Sequence, residues 1–132
     1  MDPAQLDDIA GRHGILLLLQ FGSAATGTLR PDSDLDLAVL LERPPDSLHQ
    51  TAELIADLQA LAPEREVDLA VINHADPLFL KQILDRYVLL YGSRRRLHEL
   101  EMFAFRRYQD HRRYLRMERE YLARRLQGVT AS

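Results

Sequence analysis

The sequence predicts an α/β (α+β) domain: a small mixed β-sheet of three to four strands flanked by helices, with a long helix at the C-terminal end. Three observations predict it. The apolar runs Ile15 to Phe21, Leu37 to Leu41 and the one around Val67 to Ile72 are too short and too uniformly apolar to be surface helices, so they read as buried strands. Between and beside them lie segments whose apolar residues recur at spacings of three and four, the period of an amphipathic helix. The last of these continues without a proline from about Arg94 to Gln127.

A length of 132 residues fits one domain with one core. Within it, the first 93 residues carry 6 Lys and Arg against 15 acids, whereas residues 94–132 carry 11 Arg against 5 acids. The division predicted is therefore an acidic core, 1–93, followed by a basic amphipathic helix, 94–132, that packs on the core or on a partner. The absence of cysteine excludes disulfides and thiol chemistry and suits a reducing compartment. No apolar run approaches the roughly 18 to 20 residues that span a bilayer, and the acidic N-terminus is unlike a secretory signal. The expectation is a cytoplasmic chain with no membrane contact.

Pro3 to Arg12 reads as a helix, with Asp2 as N-cap, proline at the first helical position and Gly14 near its end. Ile15 to Phe21 is the first strand, and Leu35 to Leu41 the second, closed by Pro44-Pro45. Ser47 to Ala62 follows as a helix with Leu48, Ala52, Ile55 and Leu58 on one stripe and His49 facing solvent. Arg65 to Ile72 is the third strand. Asp76 caps a helix that begins at Pro77 and is read as far as Tyr91, with Gly92-Ser93 as its stop. The final helix carries Leu97, Leu100, Ala104, Tyr108, His111, Leu115, Leu122 and Leu126 on one stripe, with arginines over the other faces. Aromatic and arginine side chains are enriched in interface anchors, so this helix reads as a partner surface. Its interspersed acids, and the acidity of the whole chain, disfavour nucleic acid.

The chemistry concentrates between residues 22 and 36. If Leu35 to Leu41 is a strand, Asp34 and Asp36 project to the same side, their Cα atoms roughly 7 Å apart. Two such carboxylates repel unless a cation sits between them, and a hard cation such as Mg²⁺ accepts one or two carboxylates together with substrate phosphates. Gly22 and Ser23 stand at the end of a strand, where a glycine admits close approach and exposed amides can cradle an anion. Arg30 reads either as a phosphate contact or as a loop arginine that is solvated or paired with Asp32. Phosphate at one end and metal at the other is the arrangement these residues suggest.

Gly22-Ser23, ten intervening residues and then Asp34-x-Asp36 resembles the signature of the DNA polymerase β-like nucleotidyltransferases, and the short chain resembles their minimal nucleotidyltransferase (MNT) branch. The resemblance spans roughly residues 15–72. It implies the nucleotidyltransferase fold and a third carboxylate on a later strand, where Asp68 stands; taken alone, Asp68 would sooner read as a strand residue facing water, and the Asp34/Asp36 pair with the family spacing reverses that. It further implies two Mg²⁺ ions, one held by Asp34 and Asp36 and the other by Asp36 and Asp68, with Asp68 as candidate general base and Gly22, Ser23 and Arg30 binding the nucleotide. Ala25-Thr26-Gly27 stands where relatives often carry a basic residue, which leaves phosphate charge to Arg30, Lys81 or a partner. Chains of this branch resemble antitoxins paired with HEPN toxins. The activity so implied is transfer of AMP from ATP to a tyrosine hydroxyl of a HEPN-type partner within a homo- or hetero-oligomer. The alternative is a non-catalytic module that neutralises its partner by contact through the C-terminal helix. Arg106 and His111 resemble the Arg-x-His pattern of HEPN ribonucleases, but five helical steps put them roughly 140° apart. A dehalogenase-type phosphatase is disfavoured because the acids precede the apolar run, and a small-molecule transferase because no second lobe is visible.

Overall fold

The computed structural model describes residues 1–22 and 34–130. In chain order the elements are α1 (Pro3–His13), β1 (Ile15–Phe21), β2 (Leu35–Leu41), α2 (Leu48–Leu61), β3 (Val67–Val71), α3 (Pro77–Asp85), β4 (Tyr87–Tyr91) and α4 (Arg94–Thr130). The four strands form one sheet in the order β3-β2-β1-β4. β1 pairs antiparallel with both β2 and β4, whereas β2 and β3 are parallel and joined through α2.

Local chemistry sets the helix ends. The Asp2 carboxylate accepts from Ala4 N at 3.0 Å, Pro3 occupies the first turn, and Gly14 closes α1 with a left-handed φ of 68°. Ser47 Oγ caps α2 by accepting from Gln50 N, and Asp76 caps α3 by accepting from Leu78 N at 2.8 Å. The α2 seam differs from the expected stripe. Leu54 and Leu58 are its buried residues, whereas Leu48 is 89% exposed, because β3 and α1 lie against the turn beyond it. His49 faces solvent and pairs with Glu53.

The segment read as one helix from Leu78 to Tyr91 is instead α3 followed by β4. Tyr87-Val-Leu-Leu-Tyr91 is a run of strand-favouring residues, and β1 offers a free edge on which it pairs, so tertiary hydrogen bonding overrides the helical period. Gly92-Ser93 therefore ends a strand. Gly92 has φ 117°, and a Cβ there would collide with Leu16 O and the Leu17 side chain, so the chain can pass the start of β1 only with glycine. Ser93 opens α4, its Oγ accepting from Arg96 N at 3.2 Å.

Each face of the sheet buries its own cluster. Leu18, Leu35, Leu37, Val39, Leu41 and Val67 meet α1 and α2 on one face. Leu17, Leu19, Ala38 and Ile72 meet Leu80 and Ile83 of α3 and Leu97, Leu100 and Ala104 of α4 on the other. Among the described residues no helix is long and apolar enough to cross a membrane.

Candidate active site

Alternation along the strands decides where the acids point. Ala38 and Leu40 of β2, and Ala70 and Ile72 beyond Asp68, belong to the cluster under α3 and α4. Asp36 and Asp68 are each two residues ahead of such a position and so face the same side. The parallel register pairs Asp36 directly with Asp68, which sets their Cα atoms about one strand spacing, roughly 4.8 Å, apart. Leu35 N donates to Glu66 O at 2.8 Å and carries the ladder to the mouth of the site. Asp34 precedes β2 by one residue and is exposed.

The row continues across the sheet. Asp36 is opposite Phe21, and Phe21 is opposite Tyr87, so one rung reads Asp68, Asp36, Phe21, Tyr87. Phe21 meets Phe79 of α3 edge to face, with centroids 6.1 Å apart, and this pair forms an apolar wall beside the carboxylates. Tyr87 donates its hydroxyl to Glu101 of α4, and that bond, with burial, pushes the phenol up to about 12. The expectation from sequence contained neither the aromatic wall nor the Tyr87–Glu101 bond, since both depend on a register that no local pattern encodes.

Gly22 abuts the row. It has φ 75°, and a Cβ there would run into Asp36 Oδ2. A glycine at this place therefore serves the carboxylate as well as the turn. Ser23 and Arg30 lie outside the described residues.

Burial raises the Asp36 carboxyl above the ordinary carboxylate range, and the charges of Asp68 and then Asp34 add to the rise. Among the described residues no side chain offers these three acids an ion pair or hydrogen bond, and no three acids or histidines are grouped closely enough to hold one metal ion; the structure brings Asp36 and Asp68 together as a pair, with Asp34 outside it. Hard oxygen donors crowded without a counter-charge fit Mg²⁺, which takes one or two carboxylates and completes its shell from water and phosphate oxygens. Lys81, the chain's only lysine, does not point to this cluster. It pairs with Asp85 at 3.2 Å and lies over the Tyr108 ring.

Comparison with known proteins gives a consistent result. The polymerase beta nucleotidyltransferase family matches residues 4–96. Among solved structures, a toxin–antitoxin with AMP-PNP aligns with a TM-score of 0.67 at 23% identity, over 96% of this chain and 99% of the other. The complex of a tri-AMPylated Shewanella oneidensis HEPN toxin with its MNT antitoxin aligns at 0.64 and 21%, over 94% of each chain. A protein described as a putative minimal nucleotidyltransferase is 34% identical over 64% of this chain and 84% of its own, with a TM-score of 0.54. No curated protein shows detectable similarity.

Proposed function

The chain belongs to the polymerase beta nucleotidyltransferase family, and from that premise we propose that it is an antitoxin that transfers AMP from ATP to a tyrosine hydroxyl of a HEPN-type protein partner. The observation that carries the proposal is the in-register pairing of Asp36 with Asp68 beside Gly22. Similar folds occur in toxin–antitoxin complexes, one with AMP-PNP and one with an AMPylated toxin, which supports both the nucleotide and the acceptor class.

In this reading Asp34 and Asp36 hold the cation that accompanies the triphosphate, and Asp36 and Asp68 hold the one at the acceptor. Mg²⁺, when bound, neutralises phosphate charge and stabilises the entering and leaving oxygens. Gly22, with Ser23 and Arg30, holds the β- and γ-phosphates so that the α-phosphorus presents its far side to the acceptor. Asp68 takes the phenolic proton as the acceptor oxygen bonds to the α-phosphorus. The α–β phosphoanhydride bond breaks and pyrophosphate leaves with the electron pair. Phe21, opposite Asp36 on β1 and packed against Phe79, gives that carboxylate an apolar neighbour on one side.

The test is to incubate the purified protein with Mg²⁺, ATP and the product of the adjacent gene as the candidate HEPN-type partner, then weigh both proteins intact. The partner is expected to gain mass in multiples of one adenylate, and Asp36→Ala to abolish the gain. A partner that is inhibited while its mass stays unchanged would overturn transfer in favour of neutralisation by contact. The exposed distal part of α4 is the observation that favours that second reading.

A further inference from the structure

The 37 residues of α4 make a rod roughly 55 Å long, and only its first half has a core to lie on. Leu97, Leu100 and Ala104 are buried and Tyr108 and His111 half-buried, whereas every residue from 112 to 128 is exposed. The topology fixes where this exposed half points. α4 starts just after Gly92, which lies against Leu16 and Leu17 at the beginning of β1. By Glu101 it has reached Tyr87, which pairs with Phe21 at the end of β1. The helix therefore runs in the direction of β1, on the face that bears Asp36 and Asp68, and residues 112–128, about 25 Å of helix, lie past the sheet end where those acids stand.

This projecting half has a definite chemistry. Leu115, Leu122 and Leu126 continue the line of Leu97, Leu100 and Ala104, while Tyr114, Met117 and Tyr121 broaden it on one side, and all six are exposed. Around them stand six arginines against two glutamates, a net charge of +4 on a chain whose first 93 residues carry −9.

We propose that residues 112–128 are a docking arm for the acceptor protein, and that their occupant is a helical protein with an apolar groove rimmed by acidic side chains. Charge decides against the nearer alternatives. Two arms of like sign, +4 each, repel each other and do not zip together as a pair of copies. Of the large exposed apolar residues outside the arm, Met102, Phe103 and Phe105 stand on α4 beside Arg106 and Arg107, which repel the arm of a second copy, and Met1, Leu48, Leu78, Phe79 and Val88 are spread over the N-terminus, α2, α3 and β4. An anionic membrane would repel the acidic core, and Glu118 interrupts the apolar arc that would enter it. A protein groove with acids along its rim meets both the leucine line and the arginines. Its position past the acid-bearing end of the sheet would hold the partner where one of its side chains can reach Asp68.

The inference rests on the proposed transfer to a protein, and its test separates the two. The double variant Leu115→Glu/Leu122→Glu alters side chains that support no core, and Leu48→Glu is the control on the opposite part of the molecule. Steady-state AMP transfer to the HEPN-type protein and nucleotide-free co-elution with it are both measured. The expected result is a rise of at least about tenfold in KM for the partner, with kcat and ATP affinity within about twofold of wild type, loss of co-elution, and no effect of the control. Unchanged KM and co-elution in the double variant would overturn the arm while leaving transfer intact. Arm-dependent co-elution without transfer by wild type would uphold the arm and overturn transfer. Arm-dependent retention of a single-stranded RNA oligonucleotide or of anionic vesicles, with partner binding unaffected, would also overturn it.

Discussion

The parallel strands β2 and β3 are built alike along their length and finished oppositely at their two ends. At the Leu41 end, the Asn73 side chain accepts from Leu41 N at 3.0 Å and donates to Leu41 O at 2.7 Å, and Glu42 N donates to Gly14 O. Every one of those groups has a partner. At the Leu35 end, Asp36 and Asp68 stand side by side with Asp34 near them, and the described residues supply no counter-charge. The same pair of strands thus spends hydrogen bonds on closure at one end and leaves charge uncompensated at the other. Stability and chemistry are separable along a single ladder.

Replacing Asp36 by Asn should break the comparison most visibly. Transfer should fall by about 10³-fold or more, yet the thermal midpoint should not drop, because the change relieves a half-buried charge next to two others. The sign of the pH effect follows. The folded state holds the Asp36 proton more tightly than the unfolded chain does, so wild type gains stability as the pH falls through the raised value towards 3.8. Denaturant titrations of wild type and Asp36→Asn across that range should show the gain in the former and its loss in the latter.

Gly22→Ala tests the open end from the backbone side. Its Cβ would press on Asp36 and occupy a left-handed conformation, so we expect a loss of about 1–2 kcal/mol in urea unfolding and of about a hundredfold in transfer as the carboxylate is displaced. At the closed end, Asn73→Ala should cost about 2 kcal/mol for two lost hydrogen bonds to Leu41, while kcat per folded molecule stays within about twofold. A large kcat defect there would show that the two ends are coupled.

Tyr87→Phe is the mildest test, at the far end of the acid rung. It removes the hydroxyl bonded to Glu101 and should cost about 1 kcal/mol at neutral pH. Because the folded phenol is raised from 10.0 to about 12, this contribution is fully present below pH 10 and lost as the pH climbs to 12. Spectroscopic titration of tyrosinate formation, compared between wild type and the variant, should resolve one late-ionising phenol.

Local rules made much of this architecture legible in the sequence. Asp2-Pro3, Ser47 and Asp76-Pro77 announced three helix starts, and Asp34-x-Asp36 ahead of an apolar run announced a crowded pair of acids. The rest needed three dimensions. Asp68 alone was an acid in a strand, and only the parallel register sets it opposite Asp36. The β4 run looked helical because its neighbours Leu80 and Ile83 keep a helical period, and nothing in the run itself states that β1 has an edge to fill. Leu48 falls on one helical stripe with Ala52 and Ile55, Leu54 on another with Leu58 and Leu61, and only the neighbours of α2 choose between them.

One consequence of α4 concerns time rather than place. A helix that outruns its core must hold its distal turns by intrinsic preference and by local pairs such as Arg125 on Tyr121, and helices without tertiary packing are weakly held in water. Deuterium uptake should therefore climb along the rod, slow at Leu97 and Leu100, rapid past Arg112, with fraying strongest near Gly128. Saturating partner should flatten that gradient, so the binding event would be recorded as newly protected amides many residues away from any phosphate.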